Sequence, residues 1–345
     1  MKYLVIVFLL TISLSAYSKI WIVDSNAGST AKDFTNLQAA HDDAAAGDTL
    51  YLIGSPINYI TAEVIVSKRL VIIGPGYFLN ENSNLQININ AAQVSLPGSN
   101  ALTFNAGSEG SVIMGVFING ALTINANNIL IKRNYISRNG SADNIIINAS
   151  NIILTQNYIF SYIGTDANVI VISSSRSGIL ITNNYIHHNC ANGCGGGTRM
   201  ALISSGTSSL ELSNNIFYGN VTVSNALVQN NLSLFTGFAA TASLVRNNSG
   251  AAGSYYPNGN DNISNSDFGN AFITGGTTDG KWQPSASSPF KGTGFGGTDR
   301  GLFGGSEPYV LSGIPPIPTI YSLTAPTIGE KNTGLPIQIK VKSNN

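Results

Sequence analysis

The sequence predicts an all-β chain wound as a right-handed parallel β-helix. Three observations predict it: a phrase that recurs at intervals in the twenties, a composition rich in apolar residues and Gly but poor in charge, and no helical periodicity in the recurring part.

The phrase occurs at 128–136 (NILIKRNYI), 151–159 (NIILTQNYI) and 178–186 (GILITNNYI), with a looser copy at 209–217 (SLELSNNIF). Its landmark asparagines Asn134, Asn157, Asn184 and Asn215 are spaced 23, 27 and 31 residues apart, which is the variable period of a solenoid. Each copy is a short Ile-rich run bounded by Asn, Ser or Gly, so it reads as a strand of about four residues between turns. Second apolar runs at Ile145–Ile147, Val169–Ile172 and Ala201–Ile203 give each coil more than one strand. Ile129 and Ile131, Ile152 and Leu154, and Ile179 and Ile181 are expected to point inward and stack. The asparagines are expected at a turn, as a structural ladder in which each amide bonds to the ones above and below.

Composition excludes the main competitors. Charged residues make up 10% of the chain, against about 25% in ordinary soluble domains, so the Lys and Glu needed to solvate helical surfaces are missing. An apolar content of 43% excludes a disordered chain. The formal net charge of +0 gives no electrostatic reason for nucleic acid or an anionic membrane to be a partner.

The ends carry other signals. Lys2, the apolar run Leu4 to Leu10 and the small residues Ala16 and Ser18 read as a signal peptide over 1–18, which implies a secreted or surface protein with no membrane insertion. Thr35 and Gln38 read as a capping box, opening a short helix that carries Leu37, Ala40, His41 and Ala44 and stops by Gly47; it would cover the first coil, with His41 as a packing residue. The β-helix is expected over 19–305, in roughly ten coils of about 22 residues. A Pro-rich extension follows over 306–345, and its segment Leu335–Lys342 alternates like an edge strand whose lysines discourage pairing with other chains. Cys190 and Cys194, close together in an exported chain, are expected to form a local disulfide rather than a zinc site with His187 and His188.

The residues also resemble a family. The stretch 35–51 (TNLQAAHDDAAAGDTLY), the segment 68–77 (KRLVIIGPGY) and the Asn-marked repeats are similar to the right-handed β-helix proteins of the pectate-lyase-like superfamily, over about residues 20 to 305. The resemblance implies fold and export. It does not imply one chemistry, because that superfamily includes lyases, hydrolases, esterases and proteins with no known catalysis.

Acidic residues are scarce where catalysis would need them: between Val64 and Asn260 there are only Glu81, Glu109, Asp143, Asp166 and Glu211. Asp143 and Asp166 each fall nine residues past a landmark Asn and could stack on adjacent coils to hold Ca²⁺, with Arg138, Arg176 or Arg199 facing a sugar acid. Arg138 and His188 share the position four past the landmark, with Ser161 between them. Ordinary solvated turn residues are the simpler account of the same carboxylates, since Asp favours turns for its own reasons. Asn-x-Ser/Thr triplets at Asn139, Asn148, Asn220, Asn231 and Asn262 are expected by chance in so Asn-rich a chain. The expectation is a secreted or surface scaffold, monomeric and non-catalytic, that contacts carbohydrate or another extracellular component and needs no cofactor. The alternative is a polysaccharide lyase or hydrolase acting on uronate-containing polymers, with Ca²⁺ at Asp143 and Asp166 if a lyase.

Overall fold

A computed structural model of the chain describes residues 18–163, 167–189, 199–204, 206, 209–235, 237–253, 256–329 and 334–344. The expected signal peptide, Asp166, Cys190 and Cys194 lie outside these residues, apart from Ser18.

Three parallel sheets run the length of the molecule, and the chain visits them in the order first, second, third before starting the next coil. The first sheet has ten strands, from Ile20–Val23 to Leu244–Arg246; the second has ten on its main path, from Tyr59–Ile60 to Ile263–Ser266, with Asn139–Gly140 as an eleventh beside it; the third has eight, from Val64–Val66 to Phe238–Thr241. Every pairing in these sheets is parallel and links a strand to its counterpart one coil away, except that Ser249–Ala251 and Ile263–Ser266 pair directly within the last turn. The chain is a parallel β-helix.

The register explains why isoleucine recurs. Ile113, Ile131, Leu154, Ile181, Leu212 and Val228 pair in one unbroken inward column of the first sheet, and all are fully buried. Leu102, Leu122, Ile145, Ile170, Leu202 and Val221 do the same in the third. Removing each such side chain from water stabilises the stack by about 1.5–3 kcal/mol, and β-branched side chains suit the pleat.

The turn from first to second sheet repeats at each coil as a two-residue device. The first residue is left-handed: φ is +57° at Arg133 and Gln156, +54° at Asn183, +55° at Asn214 and +58° at Asn230. The second is the ladder Asn. Asn157 Oδ1 accepts the backbone N–H of Asn134 at 2.9 Å and its Nδ2 at 3.2 Å; Asn184 Oδ1 does the same for Asn157, and Asn215 for Asn184. The ladder then continues through Asn231, Asn248 and Asn262.

The N-terminal helix, Leu37–Asp43, covers the first coils, with Leu37, Ala40 and His41 buried. Its cap is Asn36 rather than the expected Thr35: Asn36 Oδ1 accepts from Gln38 N at 2.8 Å and Ala39 N at 3.1 Å, as a side chain one step nearer the helix can. Lys68 Nζ closes the other end by donating to the carbonyls of His41, Asp42 and Ala44.

The chain after Ser266 turns back as a strap along the second sheet. Its hydrogen bonds recur at successive coils: Arg133 Nη1 donates to Ile314 O at 2.8 Å, Gln156 Nε2 to Pro308 O at 2.6 Å, Asn183 Nδ2 to Gly304 O at 2.7 Å and Asn214 Nδ2 to Asp299 O at 3.0 Å. The left-handed residues therefore face outward and hold the strap while the ladder residues face inward. Beyond it, Thr319–Thr324 and Gln338–Lys342 form an antiparallel hairpin, so the lysine-bearing end strand does pair, within its own chain.

Candidate functional site

On the outer face of the second sheet, beside the strap, one outward file changes character along its length. Ser95, Asn119 and Ser137 are paired in register at one end. Phe160, His187 and Tyr218 are paired in register further along. Phe160 stands edge-to-face with Tyr162 at 5.0 Å and with His187 at 4.6 Å between ring centroids, and His187 lies 4.2 Å from Tyr218. Tyr162 is 41% exposed, and the other three rings are partly exposed. Parallel strands set these rings about 4.8 Å apart, so they form an aromatic strip along the helix axis.

Charge around the strip is positive. The pKa of His187 is lowered to about 4, first by burial and then by the nearby charges of His188, Lys281 and Arg199. The imidazole is therefore neutral at ordinary pH, with its Nδ1 2.9 Å from the Tyr185 hydroxyl.

Arg138 sits at the corner between the second and third sheets. It is 7% exposed, and its Nη1 donates to the backbone carbonyl of Asp143. Its Nε has no hydrogen-bond partner. Tyr162 N bonds to Arg138 O at 2.8 Å, and Ser161 pairs with His188, so Arg138, Ser161 and His188 form one file. That file points inward: Ser161 and His188 are fully buried, and His188 Nε2 lies 3.1 Å from Ala167 O. The parity explains it, since position 138 is two beyond the inward Ile136.

The other sequence candidates separate. Asp143 Oδ1 accepts from both the backbone N–H of Asn168, at 2.7 Å, and its Nδ2, at 2.8 Å, so the carboxylate ties two coils together. Arg176 lies between Asn168–Ile172 and Ile179–Thr182, at the corner between the third and first sheets, away from Arg138. Arg199 precedes Met200–Ser204 and approaches the strip from the third-sheet side. Asp166, and with it the expected pairing with Asp143, lies outside the described residues. Among the described residues no group of three or more His, Cys, Asp or Glu is placed to hold a metal ion. Nor, among them, is any helix long and apolar enough to cross a membrane.

A recess of about 410 Å³ lies between the outer face of the first sheet and the strap. Glu211, Gln229, Asn214, Phe295 and Glu307 line it. Glu211 Oε1 accepts from Ser213 Oγ at 2.9 Å, and Arg246 Nε donates to Gln229 at 3.0 Å while its guanidinium lies 3.3 Å over the Phe295 ring. Lys132 pairs with Glu307 at 2.8 Å and holds that carboxyl below its usual range. Glu307 reaches this groove only because the strap folds back, which no local sequence signal announces.

No protein-family model matches the chain, and no curated protein matches it. Among solved structures it is similar to pectate lyase Pel9A, at 14% identity and a TM-score of 0.43, over 83% of this chain and 96% of that one. It is also similar to a rhamnogalacturonan lyase, at 13% identity and a TM-score of 0.35, over 68% of each chain. The fold assignment rests on the three parallel sheets themselves.

Proposed function

We propose that this chain is an exported, monomeric β-helix that binds a polysaccharide along the outer face of its second sheet without cleaving it. The observation that carries this reading is the aromatic strip of Phe160, Tyr162, His187 and Tyr218. Pyranose rings present C–H faces that pack on aromatic rings, and the coil spacing is comparable with the rise of one sugar in an extended glycan. Hydroxyls and amides at Ser95, Asn119 and Ser137 continue the same file and suit sugar hydroxyls. The test is affinity electrophoresis against a panel of neutral and acidic polysaccharides: retardation by at least one polymer is expected, reduced by Tyr162→Ala, and no retardation by any polymer would overturn the reading.

A second reading, a polysaccharide lyase or hydrolase acting on uronate-containing polymers, is favoured by one observation: two carboxylates, Glu211 and Glu307, line a single groove. New reducing or unsaturated ends in the same incubations, lost in Glu211→Gln, would replace the binding reading with this one.

A further inference from the structure

A recess of about 280 Å³ opens at the corner between the second and third sheets, lined by Ser95, Leu96, Asn119, Gly120, Arg138 and Asn139 among others. Arg138 is the exceptional member. Its hydrogen bond to Asp143 O uses Nη1 and is the only one its side chain makes among the described residues. The Nε is buried and unpartnered, so the edge formed by Nε and Nη2 makes no hydrogen bond. No carboxylate lies within salt-bridge distance either: among the described residues the ion pairs are His41 with Asp42 and Lys132 with Glu307. Asp143 is the nearest acidic influence, and its Oδ1 is taken by Asn168.

A guanidinium removed from water without a counter-charge is costly, and an arginine edge with two parallel N–H groups matches the two oxygens of a carboxylate. Burial also presses the Arg138 pKa downward, which is the signature of a cation short of stabilisation. We propose that this recess is a binding site for one carboxylate group, held by the guanidinium of Arg138, with the amides of Asn119 and Asn139 at its rim. A single cation without a second positive group beside it favours a monoanionic carboxylate over a dianion such as sulfate on charge. The carboxylate belongs either to a small free acid or to an acidic sugar.

The experiment is titration calorimetry of the whole chain with sodium acetate, sodium glucuronate and sodium sulfate at constant ionic strength. Saturable binding of acetate or glucuronate with a Kd of about 1 mM or tighter is expected. Tighter glucuronate assigns the site to an acidic sugar, and tighter acetate to a small acid. Arg138→Gln is expected to weaken binding at least tenfold. Because that variant removes a buried group, Asn139→Asp supplies a surface change that leaves the guanidinium in place; its added negative charge at the rim is expected to weaken binding severalfold. No saturable carboxylate binding, stronger binding of sulfate, or undiminished binding by both folded variants would overturn the proposal. Acetate has no ring to stack, so its result is independent of the aromatic strip and of the polysaccharide reading.

Discussion

Asn183 and Asn184 are neighbours in sequence and opposite in orientation. Asn183, with φ at +54°, turns outward and donates to Leu302 O and Gly304 O of the strap, while the fully buried Asn184 donates to Leu154 O and accepts from Asn157. One turn thus serves two structures: the inner residue joins coil to coil, and the outer one joins the stack to the strap. The next coil repeats the division with Asn214 and Asn215.

This division predicts separable phenotypes. Asn184→Ala leaves the buried N–H of Asn157 and carbonyl of Leu154 short of partners, which costs about 1–3 kcal/mol for each group. A loss of about 3 kcal/mol in urea unfolding is expected. Asn183→Gly keeps the left-handed backbone and gives up only the strap bonds. It is expected to lose less global stability and to speed proteolytic cleavage in the strap near Gly304; equal losses in both variants would show that strap and stack unfold as one unit.

Asp279 should anchor the far end of the strap. It is fully buried and accepts from Ser312 N at 2.6 Å, Asn82 Nδ2 at 3.1 Å, Thr277 Oγ1 at 3.1 Å and Tyr309 OH at 3.2 Å, and Tyr309 in turn lies 2.6 Å from the Tyr77 hydroxyl. In Asp279→Asn one acceptor oxygen becomes an N–H₂ donor facing other donors. A destabilisation of about 2–4 kcal/mol is expected, with a shift in the emission of Trp282 three residues away. Unchanged emission and stability would mean that the strap is held by its apolar contacts alone.

The surface ion pair behaves differently. Lys132 and Glu307 are 2.8 Å apart, but the Glu307 side chain is 60% exposed, so water and salt screen the pair. Lys132→Ala is expected to cost less than about 1 kcal/mol in thermal unfolding, and that small cost should shrink further in 1 M salt.

Much of the β-helix is legible in the sequence because a stacked interior demands the same residue at the same place in each coil, and 128–136, 151–159 and 178–186 satisfy that demand nearly word for word. The ladder beyond Asn215 is harder to read, because Asn231 and Asn248 follow after only 16 and 17 residues and lack the Tyr-Ile that marks earlier copies. The surviving signal is the Asn-Asn doublet at 230–231 and 247–248. Asn231, which also heads a glycosylation triplet, is fully buried and committed to the ladder. The strap is not legible, since its partners are mostly backbone carbonyls, which any sequence supplies. At the candidate site the file of Arg138, Ser161 and His188 can be counted from the repeat, but its inward direction follows only from the parity with Ile136.

His187 gives a prediction in which the sign of the pH effect separates burial from charge. Its folded pKa is about 4 and its ordinary value about 6.5, so between those pH values the unfolded chain holds more protons than the folded one. Stability therefore rises with pH across that window and is fully present above about pH 6.5; as pH falls from there toward 4, up to about 3 kcal/mol is lost. Urea unfolding at intervals from pH 4 to 7 should show this slope in the native chain and a flatter one in His187→Gln. The native imidazole stays neutral above pH 5, so polysaccharide binding by the aromatic strip should not vary with pH through His187 between 5 and 8. A rise in affinity as pH falls through 6.5 would show an imidazolium at the surface, which would contradict the half-buried, cation-flanked placement of this ring.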